Sequence, residues 1–164
     1  MRESLPILSD RPALDDHDVQ TVRQLYGEAQ QWSRHYETLI VNVNVLLVSS
    51  GLIFLGLGLN KDMSARYAIG IFVAAGLVSA TGILLTATLF KLYASCVNRM
   101  MRLENLLNCF DPVRFNTVDG LGALLPKELA RFPVQAPPSV RFFFGLHAVF
   151  IAIFAVLGLG MGFA

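Results

Sequence analysis

The chain has 164 residues, of which 54% are hydrophobic and only 15% are charged. Such a balance lies outside the usual range for a water-soluble domain of this length. The formal net charge is +1, so no overall basic field is present to attract nucleic acid, and we expect no nucleic-acid partner. Two cysteines are too few for a disulfide framework.

The first part of the chain predicts a tail followed by a long helix. Residues 1–13 contain two prolines and are expected to be irregular, and Asp15 or Asp16 is the expected helix N-cap. Apolar residues then recur at the heptad spacing that is typical of a coiled-coil seam. They are Val22, Leu25, Ala29, Trp32, Tyr36 and Leu39.

Three stretches carry no Lys, Arg, Asp or Glu, namely residues 38–60, 67–90 and 142–164. About 20 apolar residues in a helix cross a bilayer core of about 30 Å. We therefore predict an all-α integral membrane protein with three transmembrane helices. The first two cover about 38–60 and about 67–90, and the third covers 140–164.

After the second uncharged stretch, heptad spacing appears again, at Tyr93, Cys96, Met100, Leu103, Leu107 and Phe110. If Asn60 pairs with Arg66 at the outer turn, Leu25 lies beside Met101. We therefore predict that residues 14–110 form a hairpin of two long helices, which contains both spans and extends into the cytoplasm. The alternative is that each amphipathic arm lies flat on the lipid surface.

Residues 111–139 are rich in glycine and proline and predict a cytoplasmic loop with one short helix starting near Pro126. Ser139 is the expected N-cap of the third membrane helix. Seven of the basic residues lie between the second and third uncharged stretches. Because basic residues stay preferentially in the cytoplasm, we expect a bacterial inner-membrane protein with its amino terminus inside and its carboxy terminus outside.

Polar side chains within the spans are the first candidates for a site, because burying them in lipid costs free energy. They predict a pore lining, or a proton-responsive site at His147. The alternative is hydrogen bonding between helices, or to the preceding helical turn. The candidates are Asn42, Asn44, Ser49, Ser50, Ser79, Thr81, Thr86, Thr88 and His147.

Small residues recur at helical spacing in the second and third spans, and in lipid they mark close helix contacts. We expect a homo-oligomer, the alternative being tight packing within one chain. These residues are Gly70, Ala74, Ala75, Ser79, Gly145, Ala148, Ala152, Ala155, Gly158 and Gly162. Aromatic and basic residues next to the first two uncharged stretches predict an interfacial belt in contact with membrane lipid. They are Trp32, Arg34, His35, Tyr36, Lys91 and Tyr93.

Two parts of the sequence resemble known membrane proteins. They are the stretch from Leu25-Tyr26 through Trp32 and Tyr36, and the stretch from Tyr93 through Arg99-Met100-Met101-Arg102-Leu103-Glu104. This pattern resembles small prokaryotic membrane proteins of the RipA type, described as octameric. It is also similar to the SLATT modules of bacterial conflict systems, a class of proposed pore-forming effectors controlled by a nucleotide-sensing partner. Neither resemblance implies catalytic residues.

No nucleophile, metallopeptidase, P-loop or dinucleotide motif is present in the sequence, and Cys96 and Cys109 suit no metal cluster. We expect no enzymatic activity, no cofactor and no metal. The expected function is a homo-oligomeric membrane scaffold or sensor whose helical hairpin is available to a cytoplasmic protein partner. The alternatives are a pore or channel effector, with Asn42, Asn44 and His147 near the conduction path, and an accessory subunit of a larger membrane complex.

Overall fold

The computed structural model describes residues 15–107, 109 and 136–162. They form three α-helices, α1 (Asp16–Gly58), α2 (Ala65–Leu106) and α3 (Pro138–Gly162). No strand occurs in these residues, so the predicted all-α fold class is confirmed for the described part of the chain. The predicted tail 1–13, the short helix near Pro126 and most of the glycine- and proline-rich loop lie outside the described residues.

All three helices are long and apolar enough to span a membrane, judged by length and composition. The α3 helix has 25 residues, which suits a single crossing of a bilayer core of about 30 Å. The α1 and α2 helices have 43 and 42 residues. At a rise of about 1.5 Å per residue each is roughly 65 Å long, which is about twice what one crossing requires.

The start of α1 is capped as the sequence predicts. The Asp15 carboxylate accepts a hydrogen bond from the backbone N–H of Asp18, with 2.7 Å between nitrogen and oxygen. This bond satisfies one of the N–H groups that have no partner within the first turn of a helix.

The prediction that Ser139 caps the third helix is wrong, because α3 begins at Pro138 and Ser139 lies within its first turn. The carbonyl of Pro137 accepts the N–H of Val140 at 3.1 Å. Proline suits the first helical position, since an N–H there would have no partner in the helix and the ring already holds a helical φ.

The turn between α1 and α2 is organised by Asn60. Its side-chain oxygen accepts the backbone N–H of Asp62 at 3.2 Å, and its carbonyl accepts the N–H of Met63 at 3.1 Å. Asparagine favours such turns because its side chain bonds to the backbone two residues further along. The chain therefore ends one apolar helix and starts the next within residues 59–64.

The chain divides into two compact units. We call residues 1–35 with 92–135 the polar unit, and residues 36–91 with 136–164 the apolar unit. In the polar unit, α1 and α2 bury a set of mainly apolar residues, and the hydroxyl of Tyr26 donates a hydrogen bond of 2.8 Å to Glu104. The buried residues are Val22, Ala29, Ser33, Met101, Leu103 and Cys109. Burial, assisted by the bond to Glu104, raises the pKa of Tyr26.

One position in the predicted heptad seam of α1 is wrong. Trp32 is 54% exposed, whereas the neighbouring Ser33 is buried and its hydroxyl donates to the carbonyl of Gln30 at 2.9 Å. Heptad spacing of 3 or 4 residues allows either neighbour to face inward, and the smaller side chain lies inside. The indole instead packs edge-on against the His35 ring, with 5.6 Å between ring centroids.

The core of the apolar unit is built from aromatic rings packed against small residues. The rings of Phe72 and Phe154 stack with centroids 6.2 Å apart. A Cβ added at Gly58 of α1 would lie 2.5 Å from the Phe72 ring, so glycine provides the space that this ring occupies. The buried face of α2 has heptad spacing, with Ala68, Phe72, Ala75, Ser79, Gly82 and Thr86.

Contacts between α1 and α2 are displaced from the predicted register within each unit. That register places Tyr26 near Met100, but Tyr26 bonds Glu104, which is one helical turn further along α2. In the apolar unit, Asn44 is likewise paired with Thr86. Helical side chains tilt towards the amino terminus of their own helix. In two antiparallel helices, a side chain therefore contacts a partner that comes later in the chain than the residue directly opposite its own Cα.

Candidate functional site

Three polar side chains, one from each helix, meet inside the apolar unit. Asn44 of α1, Thr86 of α2 and His147 of α3 each have 0% of their surface exposed. We call these three residues the polar cluster. Each lies within a segment that is long and apolar enough to span a membrane, where a polar group without a partner is costly.

Asn44 is the centre of the polar cluster. Its amide nitrogen donates to the carbonyl of Ile40 at 2.6 Å, and because a carbonyl can only accept, this bond fixes the orientation of the amide. The amide oxygen accepts the hydroxyl of Thr86 at 3.0 Å and lies 2.9 Å from Nε2 of His147. One side chain therefore joins all three helices.

The orientation of Asn44 also determines the tautomer of His147. An amide oxygen can only accept, so Nε2 of the imidazole must carry the hydrogen of the shared bond. In a neutral ring the other nitrogen, Nδ1, then has a lone pair and no hydrogen. Nδ1 is buried and has no hydrogen-bond partner among the described residues.

Gly82, which sequence reasoning missed, makes room for the His147 ring. A Cβ added at Gly82 would lie 2.5 Å from both Cε1 and Nε2 of His147, and 2.9 Å from Nδ1. The imidazole therefore packs directly on the backbone of α2. The available signal in the sequence is spacing, because Gly82 precedes Thr86 by one helical turn and shares its face.

The polar cluster offers hydrogen bonds and one titratable ring. Among the described residues the buried polar side chains are Ser33, Asn44, Ser79, Thr86 and His147. Of these, only histidine changes its charge at pH values near neutrality. The arrangement is therefore suited to holding three helices together while the ring is neutral.

Comparison with protein-family models, with curated proteins and with solved structures found no match to this chain. The likeness to RipA-type and SLATT proteins accordingly stays a prediction.

The other predicted polar residues do not join the polar cluster. Four hydroxyls donate to the carbonyl one turn earlier in their own helix, at 2.8 to 2.9 Å, and belong to Ser49, Ser50, Thr81 and Thr88. Ser79 is buried on the core face of α2, and Asn42 is exposed on the outside of α1. Sequence position alone had placed Asn42 and Asn44 together as candidates.

The predicted small residues divide between the inside and the outside of the apolar unit. Ala75 and Ser79 are buried, and a Cβ on Gly158 would lie 3.8 Å from Cβ of Phe72. Gly70 and Ala74 of α2 are exposed. We use the name small-residue face for the exposed set on α3, which is Gly145, Ala148, Ala152, Ala155 and Gly162.

The residues of the predicted interfacial belt are divided between the two units, and the belt itself stays a prediction. In the polar unit Trp32, Arg34 and His35 are exposed on α1 and Tyr93 is half-buried on α2. In the apolar unit Tyr36 is half-buried and Lys91 is exposed. All six therefore lie where the uncharged stretches end, which is the position that aromatic and basic residues favour at a bilayer surface.

Proposed function

We propose that this chain is a non-enzymatic protein of the bacterial inner membrane that self-associates and extends a two-helix arm into the cytoplasm. There it serves as a scaffold or sensor platform for a protein partner. The observation that carries this proposal is the length of α1 and α2, which have 43 and 42 residues. Each is about twice as long as one crossing of a bilayer core of about 30 Å requires.

The distribution of charge along these helices supports the arm. All charged residues of α1 lie between Asp16 and Glu37, and those of α2 lie from Lys91 onwards, apart from Arg66 at its start. Charged side chains are costly in hydrocarbon, so these segments belong outside it. The bond between Tyr26 and Glu104 favours paired helices over two helices lying separately on the lipid surface.

The small-residue face of α3 supports self-association. It lies outside the packed core of the apolar unit, to which α3 contributes other residues, Val140, His147, Phe150 and Phe154. A groove of about 430 Å³ between α2 and α3 includes Gly76, Ala155 and Gly158 in its lining. Lipid tails are as apolar as leucine, so close backbone approach at small residues is a main source of helix association in membranes.

We expect Ala152→Leu, on the small-residue face, to reduce the assembly to smaller species when its mass is measured in mild detergent or nanodiscs. The added bulk would hold neighbouring helices apart. The matched control is Ile153→Phe, which adds volume at an exposed position about 100° around α3 from Ala152 and should keep the native mass. A monomeric parent chain, or a mass equally altered by both variants, would contradict self-association through this face.

Labelling of cysteines tests the orientation of the arm. In a Cys109→Ser variant, an impermeant maleimide should label Cys96 only after the inner membrane is permeabilised. Burial raises the pKa of the Cys96 thiol, although Arg99 acts in the other direction, so labelling belongs at about pH 8.5, where more thiolate is present. The matched control is Lys61→Cys without the native cysteines, which should react in intact cells. The reverse pattern would contradict the proposed topology.

A pore is the second candidate, and the exposed polar residues favour it. Asn42 and Ser49 are seven residues apart on one exposed face of α1, and Thr81 and Thr88 have the same spacing on α2. Such faces could line a path between copies of the chain. Asn44 and His147 are buried and cannot line such a path. If induced expression depolarises cells, the combined change Asn42→Leu, Ser49→Ala, Thr81→Val and Thr88→Val should abolish it, and depolarisation that persists would reject this lining.

A further inference from the structure

We propose that His147 is a proton-sensitive contact that holds α3 against α1 and α2 while its ring is neutral, and that releases this part of α3 in acid. The proposal goes beyond the scaffold function and does not depend on self-association, because all the residues involved belong to the apolar unit of one chain. It rests on the geometry of the ring, on its surroundings and on the charges that face it.

The hydrogen-bond pattern leaves one place for an additional proton. Nε2 already donates to the Asn44 oxygen at 2.9 Å, so a second proton must bind at Nδ1. Nδ1 is buried without a partner among the described residues. A protonated ring would therefore hold both a positive charge and an unsatisfied N–H in a site that excludes water.

The backbone of α2 closes the space beside Nδ1. A Cβ at Gly82 would lie 2.9 Å from this atom and 2.5 Å from the adjacent Cε1. The ring cannot turn to present Nδ1 to the Asn44 oxygen without giving up the bond from Nε2. Protonation is thus accommodated by moving the ring, and with it α3, away from α2.

The helices packed against the ring provide no compensating negative charge. Asn44 of α1 and Gly82 of α2 contact the ring and are both neutral, as is Thr86, which shares the Asn44 oxygen. The nearest acidic residue along α1 is the exposed Glu37, two turns before Asn44. The nearest charges along α2 and α3 are cations, Lys91 and Arg141. The other charged residues of the apolar unit lie at or next to the turn between α1 and α2 and are Lys61, Asp62 and Arg66.

The direction of the pH effect follows from proton binding. The docked ring is neutral, while a ring released to water titrates at the ordinary imidazole pKa of about 6.5. The released state therefore binds more protons, and docking of α3 weakens as the pH falls through this range. Phe150 and Phe154 pack further along α3, so the loosening is confined to the part of α3 around His147.

The experiment uses the full chain in lipid nanodiscs with His17→Gln and His35→Gln, which leaves His147 as the last of the three histidines. Nitrogen NMR of labelled histidine reports the tautomer and protonation state. Spin labels at Leu85→Cys of α2 and Phe142→Cys of α3, both exposed positions, report the separation of the helices. The native cysteines are replaced by serine, and unlabelled chain is added to suppress signals between copies.

We expect the Nε2–H tautomer at pH 8. Between pH 8 and 5 the ring should protonate, and the population with the short α2–α3 distance should fall about twofold or more over the same range. The matched variant His147→Gln keeps a side-chain N–H donor near the Asn44 oxygen but does not titrate, so its distance should not change with pH.

Four results would overturn the proposal: an Nδ1–H tautomer, a ring that stays neutral to pH 5, protonation without a change in distance, or the same distance change in His147→Gln. The NMR measurement retains His147 itself, so it decides the matter even if the glutamine variant does not fold. A monomeric chain would contradict the self-association proposed above but would leave this result unaffected.

Discussion

Replacing Asn44 by leucine is expected to destabilise the apolar unit by about 2 kcal/mol. The amide oxygen accepts from both Thr86 and His147, so leucine leaves two buried donors without an acceptor. A buried unsatisfied group costs about 1–3 kcal/mol, whereas interhelical hydrogen bonds in membranes average about 0.6 kcal/mol with a maximum near 1.7. Reversible unfolding in mixed micelles, followed by circular dichroism, gives the free energy of unfolding.

The matched control for this prediction is Asn42→Leu. Asn42 has the same side chain and lies two residues earlier on α1, but it is exposed on the outside of the helix. Leucine there removes a polar group from a lipid-facing position, so stability should be unchanged or slightly higher. Equal destabilisation by the two substitutions would show that the polar cluster does not hold the helices together.

The three-helix fold could be predicted from the sequence because long stretches without charged residues are a strong indication of membrane-spanning helices. Three long uncharged stretches predict three helices, and the described residues contain helices at all three places. Heptad spacing also indicated that α1 and α2 continue beyond the uncharged stretches. Helix ends were less certain, since a proline at the first helical position displaced the expected cap at Ser139.

The polar cluster could be predicted only in part. The position of a residue along its helix axis follows from its number. Asn44, Thr86 and His147 were therefore among the candidates, as polar residues within the uncharged stretches. Rotation about the helix axis does not follow from depth, since each residue turns the helix by about 100°. Asn42 and Asn44 differ by two residues and therefore face roughly opposite directions, one exposed and the other buried.

Gly82 was missed for a related reason, because its role depends on the side chain that another helix places against it. Glycines of the apolar unit accept rings at three contacts, Phe72 at Gly58, His147 at Gly82 and, less closely, Phe150 at Gly51. In the sequence, only its spacing from Thr86 separates Gly82 from an exposed glycine such as Gly70, where nothing lies within 4 Å of an added Cβ. Close packing of this kind replaces the hydrophobic effect that drives helix association in water.

We expect Gly82→Ala to displace the His147 ring and to destabilise the apolar unit by about 1–3 kcal/mol, the usual cost of adding a methyl group to a packed core. The added Cβ would lie 2.5 Å from two ring atoms, and a displaced ring also loses its bond to Asn44. In the control Gly70→Ala, the added Cβ has no atom within 4 Å. This substitution should be neutral or stabilising, since alanine favours a helix over glycine by about 1 kcal/mol.

A double-mutant cycle separates this contact from a general intolerance of alanine at position 82. In a His147→Ala background the ring is absent, so the methyl group of Gly82→Ala has space and its cost should largely disappear. The coupling free energy between the two sites should then be about 1–2 kcal/mol, well above the few tenths expected for independent positions. Strictly additive effects in unfolding measurements would mean that the imidazole does not pack on Gly82.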